Sequence, residues 1–225
     1  MSLQEKLSAF KTQFESGQPP FDGVPPAVHE IMKRATNELI ASGAADRVLR
    51  SGPAPDFDLH DAHGERIRLT DLLASGPVVV TFYRGVWCSY CNIDLEALEQ
   101  QADAIRGFGA SLVTITPQTA ANSRKSINDK NLSFPLLSDP GNAVAELYGL
   151  RFRLPDYLIE VYKQLGVDLP TINGDASWTL PQPARFVVDA QGQIRHAEAH
   201  PDYTRRPDPE TLLPILEALK TAAVA

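Results

Sequence analysis

The sequence predicts an α/β protein with a central β-sheet covered by helices on both faces. Short runs of β-branched residues alternate along the chain with longer amphipathic helical patterns, the order expected of strands and the helices that cover them. The chain has 225 residues and is 43% hydrophobic, which is enough for one large domain with a substantial core. Its longest apolar run, around residues 78–80, is far shorter than the ~20 residues that span a bilayer. We therefore expect no membrane partner.

Two helices are predicted before the first strand. Residues 2–16 carry a single apolar stripe made of Leu3, Leu7, Phe10 and Phe14. Pro25 and Pro26 open a second helical pattern that closes near Gly43. We expect residues 1–50 to form an N-terminal helical extension, either packed on the domain or used in a dimer contact.

Residues 51–225 are predicted to form the main domain. Alternating residues on either side of His63 and Gly64 indicate a hairpin, and the β-branched run at 77–83 indicates a buried strand. The patterns that follow are a helix at 88–108, a strand at 112–116, a helix at 119–131, an apolar segment at 134–137 and a helix at 141–148.

The secondary-structure signals in the last third of the chain differ in strength. Residues 151–182 are rich in Pro, Gly and Asn and look like an insertion, with one amphipathic stretch at 156–165. A final hairpin pairs 185–189 with 193–197. It leads into a C-terminal helix that we expect Asp208 to cap.

Charge and cysteine content narrow the function classes. The formal net charge is −7, from 21 Lys and Arg against 28 Asp and Glu, and no basic stripe is visible. A nucleic-acid partner is therefore not expected. The N-terminus lacks a secretory apolar region, and only two cysteines occur, so a reducing cytoplasmic location is the default expectation.

The two cysteines, Cys88 and Cys91, are the most informative feature of the sequence. They lie three residues apart where the buried strand ends and a helix begins, so at least one sulfur faces the positive end of the helix. Lowering a thiol pKa from ~8.5 to ~6 raises its thiolate fraction at pH 7 about thirtyfold. Because Cβ atoms one helical turn apart are too distant for a disulfide, the pair closes easily only if Cys88 lies at the helix cap. The spacing favours reversible redox chemistry.

Three other interpretations of the cysteine pair remain open. The two thiols could be inert core residues, or a structural disulfide that closes too small a loop to stabilise much. A zinc site would need two more ligands. The histidines at plausible spacing are His60, His63, His196 and His200.

Several motifs resemble those of a known family. The run Phe-Tyr-Arg-Gly-Val-Trp-Cys-Ser-Tyr-Cys at 82–91 resembles the peroxiredoxin-like branch of the alkyl hydroperoxide reductase and thiol-specific antioxidant family. The opening Ala-Pro-Asp-Phe at 54–57 and the hairpin Phe-Val-Val-Asp-Ala-Gln-Gly at 186–192 are similar to the same family, so the resemblance covers roughly residues 53–220. It implies a thioredoxin-like fold with a central mixed β-sheet flanked by helices.

The resemblance implies a thiol peroxidase that reduces hydrogen peroxide or alkyl hydroperoxides through a Cys88/Cys91 disulfide. It implies a thioredoxin-like or other dithiol reductant, a possible homodimer, and no cofactor or metal. The family's Pro, Thr and peroxidatic Cys fall on Arg84, Cys88 and Cys91, so only Cys91 is kept and becomes the expected nucleophile. On the thioredoxin pattern the nucleophile would instead be Cys88. The alternatives are a disulfide oxidoreductase with these roles reversed, or a redox-sensing module without turnover.

Three more residues, Pro183, Arg185 and Arg84, are candidates for the site. The family's catalytic Arg falls on Pro183, while Arg185 lies two residues on and shares its strand face. Pro183 fits equally well the cis-proline that faces the cysteines in thioredoxin-type reductases. Arg185 is then either a catalytic group or a solvated strand residue. Arg84 either stabilises the thiolate or the leaving oxygen, or is a solvated charge at the strand end.

Aromatic residues complete the predicted site. Tyr83, Trp87 and Tyr90, together with Pro183, are expected to line the substrate pocket. Trp87 serves in packing or borders a docking surface, and Tyr90 either donates a hydrogen bond to a thiol or closes the pocket. Residues 202–206 resemble a family element of unstated role, or form a surface charge cluster.

Overall fold

The structure, a computed structural model, describes residues 1–224. Its strands are β1 (Gly52–Pro53), β2 (Asp58–Asp61), β3 (Arg66–Arg68), β4 (Val78–Phe82), β5 (Ser111–Thr116), β6 (Leu136–Ser138), β7 (Arg151–Arg153), β8 (Thr179–Pro181), β9 (Ala184–Val188) and β10 (Gln193–Ala199). Its α-helices are α1 (Leu3–Glu15), α2 (Pro26–Ala41), α3 (Leu69–Leu73), α4 (Ser89–Gly107), α5 (Ala120–Lys130), α6 (Ala143–Leu147), α7 (Asp156–Gln164), α8 (Leu169–Asn173) and α9 (Leu213–Val224).

Eight strands form one mixed sheet in the order β1-β10-β9-β4-β5-β6-β2-β3. Strand β4 pairs with β5 in parallel and with β9 antiparallel, and β5 pairs with β6 in parallel. Because β4 lies between two strands and helices cover both faces of the sheet, every residue of this Val-rich strand is buried. The predicted α/β architecture, with a central mixed sheet flanked by helices, is confirmed.

Helices cover the sheet on both faces. Val79 and Val187 face α1, α4 and α9, while Val80 and Phe186 face α3 and α6. This alternation follows from the two-residue period of a strand. It also places Arg185, two residues before Val187, on the α4 face.

The N-terminal helices pack on two different parts of the protein. Leu3 and Leu7 of α1 lie in the same buried cluster as both cysteines. Val28 and Ala35 of α2 pack against α7 and α8, which belong to the segment expected to be an insertion. The division of the chain near residue 50 remains a prediction.

Two sequence-based element boundaries are wrong. Gly141 and Asn142 both have positive φ, so α6 begins only at Ala143 and not at 141; the Asp139 carboxylate accepts the N–H groups of the first helical turn. Asp208 does not cap α9, because a 3-10 turn at Pro209–Leu212 intervenes. Its carboxylate accepts the backbone N–H of Leu3 at 2.9 Å, tying α1 to the C-terminal segment.

No helix within residues 1–224 is long and apolar enough to cross a bilayer.

Candidate active site

The loop between β4 and α4 brings Cys88 to the N-terminal cap of α4. This is the position from which the two sulfurs can approach each other. Gly85 makes the turn with a φ of +139°, a conformation that L side chains rarely adopt. A Cβ at residue 85 would lie 2.6 Å from Nε1 of Trp87, so the loop requires glycine here for space as well.

Side chains from α4 and from the β5–α5 connection hold this loop in place. The Val86 N–H donates to Gln118 at 2.9 Å, and the Val86 carbonyl accepts the Asn92 amide at 2.8 Å. The Tyr83 hydroxyl donates to Asn92 Oδ1 at 2.8 Å. Tyr83 therefore supports the loop from behind and does not line the cavity at Cys88, contrary to its expected place in the substrate pocket.

Arg84 is buried, with 2% of its surface exposed, so the interpretation of a solvated strand-end charge is wrong. Its guanidinium donates to the Tyr162 hydroxyl at 2.8 Å and lies 4.9 Å and 4.3 Å from the ring centres of Trp87 and Tyr203. Within residues 1–224 no carboxylate forms an ion pair with it. A buried cation without a carboxylate favours a negative charge nearby.

The Cys88 thiol is a group beside Arg84 that can carry this negative charge as a thiolate. Burial raises the pKa of the Cys88 thiol, but hydrogen bonding from the Cys91 thiol and the positive charges of Arg84 and Arg206 outweigh it and lower the pKa to about 6. The position at the start of α4 acts in the same direction, because the helix N-terminus favours anions. Cys88 is the sulfur that carries the negative charge of the pair near neutral pH.

The Cys91 thiol titrates in the opposite direction. Burial, its hydrogen bond with Cys88 and the negative charge of Cys88 raise its pKa well above the ordinary range, and Arg206 offsets only part of this. The Arg206 guanidinium donates to the Cys91 sulfur at 3.5 Å. These pKa directions favour Cys88 over Cys91, the expected nucleophile, as the reactive thiolate.

Arg206 belongs to a buried ion-pair group. Asp94, one turn after Cys91 in α4, lies 3.5 Å from Arg206 and accepts a hydrogen bond from Arg185 at 2.8 Å. Arg185 is 3% exposed, so the expectation of a solvated strand residue is wrong. Its partner Asp94 also pairs with Arg206, the residue that donates to the Cys91 sulfur.

Pro183 is not a cis-proline, because the peptide bond before it is trans. It lines a cavity of about 420 Å³ together with Arg185 and Arg206, on the side of the ion-pair group. The expected facing of Pro183 onto the cysteines is therefore not observed.

A second, apolar cavity opens directly onto Cys88. It has a volume of about 140 Å³ and is lined by Cys88, Arg84, Trp87 and Tyr90 among others, whereas Cys91 does not line it. The Tyr90 ring packs edge-on against Phe10, with ring centres 4.9 Å apart, and forms part of the wall. Trp87 both packs on Arg84 and lines this cavity.

Sequence reasoning missed the ion-pair group and the two tyrosines that hold Arg84. Asp94 could have been found from its spacing, since it lies three residues after Cys91 on one helix face. Arg206 and Tyr203 lie in the segment for which a family element of unstated role and a surface charge cluster are both open, and because Arg206 is 7% exposed, the surface interpretation is wrong for this residue. No periodicity in the sequence indicates that this segment returns to α4.

The zinc interpretation finds no ligand set. Among the described residues, no three His, Cys, Asp or Glu side chains gather into a group that could hold a metal ion.

A helix-capping cysteine pair beside buried arginines, on a mixed sheet with flanking helices, defines a thiol-based redox protein of the thioredoxin-like class. Residues 51–197 match the AhpC/TSA family model. The chain belongs to the AhpC/TSA family.

Curated relatives carry peroxiredoxin and oxidoreductase names. The chain is 25% identical over 150 residues to the chloroplastic peroxiredoxin Q of Oryza sativa subsp. japonica, covering 67% of this chain and 58% of that protein. It is 29% identical over 143 residues to peroxiredoxin Bcp of Escherichia coli, covering 64% and 80%. It is also 26% identical over 145 residues to the thiol-disulfide oxidoreductase ResA of Bacillus anthracis, covering 59% and 83%. The chain thus spans less than two thirds of the rice relative's length.

A solved structure shows the same fold. The crystal structure of peroxidoxin BcpB from Mycobacterium tuberculosis matches with a TM-score of 0.59 at 22% identity, covering 76% of this chain and 98% of that one. The thioredoxin-like fold implied by the sequence motifs is confirmed.

Proposed function

We propose that this protein is a thiol peroxidase in which Cys88 is the nucleophile and Cys91 the resolving thiol. The observation that carries the proposal is a Cys88 thiol with a pKa of about 6 that opens onto a cavity and has the buried Arg84 guanidinium beside it. The peroxiredoxin relatives support peroxide as the oxidant. This assignment of roles reverses the one derived by counting along the family motif.

In the first step the Cys88 thiolate attacks the terminal oxygen of a hydroperoxide. The S–O bond forms as the O–O bond breaks, so the sulfur is oxidised to a sulfenic acid and the peroxide is reduced to an alcohol or water. The departing oxygen carries the electron pair of the O–O bond and takes a proton. Arg84 is the buried cation best placed to stabilise that negative charge as it develops.

In the second step the Cys91 thiol attacks the Cys88 sulfenic acid. A disulfide forms and one water leaves, with the Cys91 proton completing the water. Arg206, at 3.5 Å from the Cys91 sulfur, favours the thiolate that this attack requires. The position of Cys88 at the cap, not inside the helix, leaves its sulfur free to reach Cys91.

In the third step an external dithiol reduces the disulfide and is itself oxidised. A thioredoxin-like protein is the reductant we propose, working in the cytoplasm, where such dithiols are kept reduced. A homodimer is part of the same proposal, with peroxide and the dithiol as the two partners of the catalytic cycle.

A thiol-disulfide oxidoreductase is the second candidate. The ResA match and the Trp87-Cys88 order, with a low-pKa thiol at the helix cap, favour it. The trans bond before Pro183 argues against it, because that pattern places a cis-proline opposite the cysteines.

Rapid mixing of the reduced protein with peroxide separates the two functions. We expect a fluorescence change at a rate proportional to peroxide concentration, formation of one disulfide per peroxide consumed, and turnover when a dithiol reductant is supplied. Reduction of insulin disulfides without any reaction with hydrogen peroxide or cumene hydroperoxide would instead support the oxidoreductase.

A further inference from the structure

The N-terminal segment covers the start of α4 with aromatic side chains. Phe10 of α1 packs against Tyr90, and its ring centre lies 5.5 Å from that of Phe21 in the following loop. Phe14 packs edge-on against Phe21 at 5.1 Å. These three phenylalanines are half-buried, so each keeps a face that the rest of the protein does not cover.

The uncovered faces line the cavity at Cys88. Phe10, Phe14 and Phe21 form one side of it, and Leu165 and Val167, from the segment after α7, form another. None of these five residues belongs to the connection from β4 to α4 or to α4 itself, where the cysteines lie. The three phenylalanines also precede residue 51, where the match to the AhpC/TSA family begins.

The size and lining of the cavity favour an apolar occupant. Its volume of about 140 Å³ is several times the roughly 30 Å³ that one water occupies in the liquid. Its lining in the described chain is mostly aromatic and aliphatic and includes no carboxylate. Hydrogen peroxide would leave most of this space to water that finds few hydrogen-bond partners, whereas an apolar substituent would displace that water favourably.

We propose that Phe10, Phe14 and Phe21 are specificity-determining residues that make the site selective for hydroperoxides bearing a compact apolar group, such as a phenyl or branched alkyl group. The proposal rests on the proposed peroxidase function. The peroxide oxygen meets Cys88 and Arg84 at one end of the cavity, and the substituent packs against the phenylalanines. The N-terminal extension is thereby part of the substrate site.

The test compares cumene hydroperoxide, tert-butyl hydroperoxide and hydrogen peroxide in the full-length protein. Phe14→Ala removes an aromatic ring of the cavity lining that α1 contributes. Phe21→Ala removes a ring that the loop after α1 contributes, and it changes no helical residue. We expect the ratio of kcat/KM for cumene hydroperoxide to that for hydrogen peroxide to fall about tenfold in each, the usual scale for lost apolar groups in a pocket. Phe108→Ala is the matched control, a half-buried phenylalanine at the far end of α4, and should leave the ratio unchanged.

A binding measurement keeps this proposal separate from the peroxidase proposal. The alcohol 2-phenyl-2-propanol, the product from cumene hydroperoxide, should slow the alkylation of Cys88 by iodoacetamide in the wild type and lose that effect in Phe14→Ala and Phe21→Ala. Equal protection in all variants, no protection in the wild type, or an unchanged substrate ratio would overturn the proposal. Wild-type protein that reacts with none of the three hydroperoxides but is protected by the alcohol would overturn only the peroxidase function.

Discussion

Cys88 and Cys91 lie within one helical turn, yet their surroundings differ in charge and in access. The cation beside Cys88 is Arg84, which is enclosed by aromatic rings and has no ion-paired carboxylate in the described chain. The cation beside Cys91 is Arg206, which shares Asp94 with Arg185. Cys88 lines a cavity, whereas Cys91 does not.

This difference teaches that the hydrogen bond between the two sulfurs and the buried cations beside them together decide which sulfur is ionised. Position in the helix alone does not separate the two, because both sulfurs lie at its first turn. The carboxylate of Asp94 offsets part of the positive charge of Arg206 beside Cys91. The charge of Arg84 beside Cys88 is not offset by an ion-paired carboxylate in the described chain. Burial and the hydrogen bond with Cys88 raise the pKa of Cys91, whereas that same hydrogen bond and then the charge of Arg84 lower the pKa of Cys88.

The largest effect is expected from replacing each of the two cysteines in turn with serine. Cys88→Ser should abolish the reaction with peroxide, because serine supplies no thiolate. Cys91→Ser should still form one sulfenic acid per protein, detectable with dimedone by mass spectrometry, and then stall or become overoxidised. The reverse pattern would return the nucleophile to Cys91 and contradict the charge comparison.

The next largest effect is expected from Asp94→Asn, which makes the surroundings of Cys91 resemble those of Cys88. Two buried guanidiniums lose their counter-charge, so the free energy of unfolding in urea should fall by about 3 to 5 kcal/mol. The Cys88→Ser/Asp94→Asn protein should also show a lower pKa for Cys91 than Cys88→Ser alone. Asp103→Asn is the control, since its carboxylate pairs with Arg106 at the surface and should contribute at most about 1 kcal/mol.

Arg84→Met tests the other side of the comparison. At a pKa of about 6 roughly 90% of Cys88 is thiolate at pH 7, so its alkylation rate should rise through pH 6 and be level above pH 7. Without the guanidinium the pKa rises, and the same curve should move to higher pH. Losing a charge-assisted contact of about 1.5 to 3 kcal/mol predicts a peroxide rate lower by about 10- to 150-fold.

Arg153→Met serves as the control for that change, because Arg153 pairs with Asp156 at an exposed position. An Arg84→Met protein whose alkylation curve and peroxide rate both match those of wild type would show that the buried cation does not set the reactivity of Cys88.

The smallest effect is expected from Tyr83→Phe, which removes the hydroxyl that supports the loop through Asn92. The free energy of unfolding should fall by about 1 kcal/mol, the typical net contribution of one hydrogen bond. Tyr148→Phe loses a hydrogen bond to the Pro55 carbonyl away from the cysteines and should cost about as much. Only Tyr83→Phe should slow the peroxide step, and equal rates in the two variants would exclude a positioning role for Tyr83.

Most of the fold could be predicted because its signals are local. The β-branched run of β4 and the apolar stripe of α1 each indicate their element within a few residues. The start of α6 could not be placed, since Asn142 adopts a left-handed conformation that is uncommon for residues other than glycine. The side-chain bond from Leu3 to Asp208 joins residues 205 positions apart, and no local pattern carries that information.

The site was predictable only where its residues are neighbours in sequence. Cys88, Cys91 and Arg84 were found because they lie on one strand-to-helix connection. The proposed nucleophile rests on the hydrogen bond between the sulfurs, on the burial of Arg84 and on the cavity at Cys88, which exist only in the folded chain. Arg185 was judged from its strand position alone, and that position does not reveal the carboxylate opposite it.

Tyr203 and Arg206 lie after β10, beyond residue 197, where the family match ends, and the phenylalanines of the cavity lie before residue 51, where it begins. A chimera that transplants residues 51–197 into another scaffold would carry both sulfurs and Arg84. It would lack Tyr203, whose ring packs on Arg84, and Arg206, whose guanidinium contacts Cys91. Recombination at the family boundaries would thus transfer the two sulfurs without the full set of groups that surrounds them. In this protein the set of residues that surrounds the two sulfurs extends beyond the segment shared with the family.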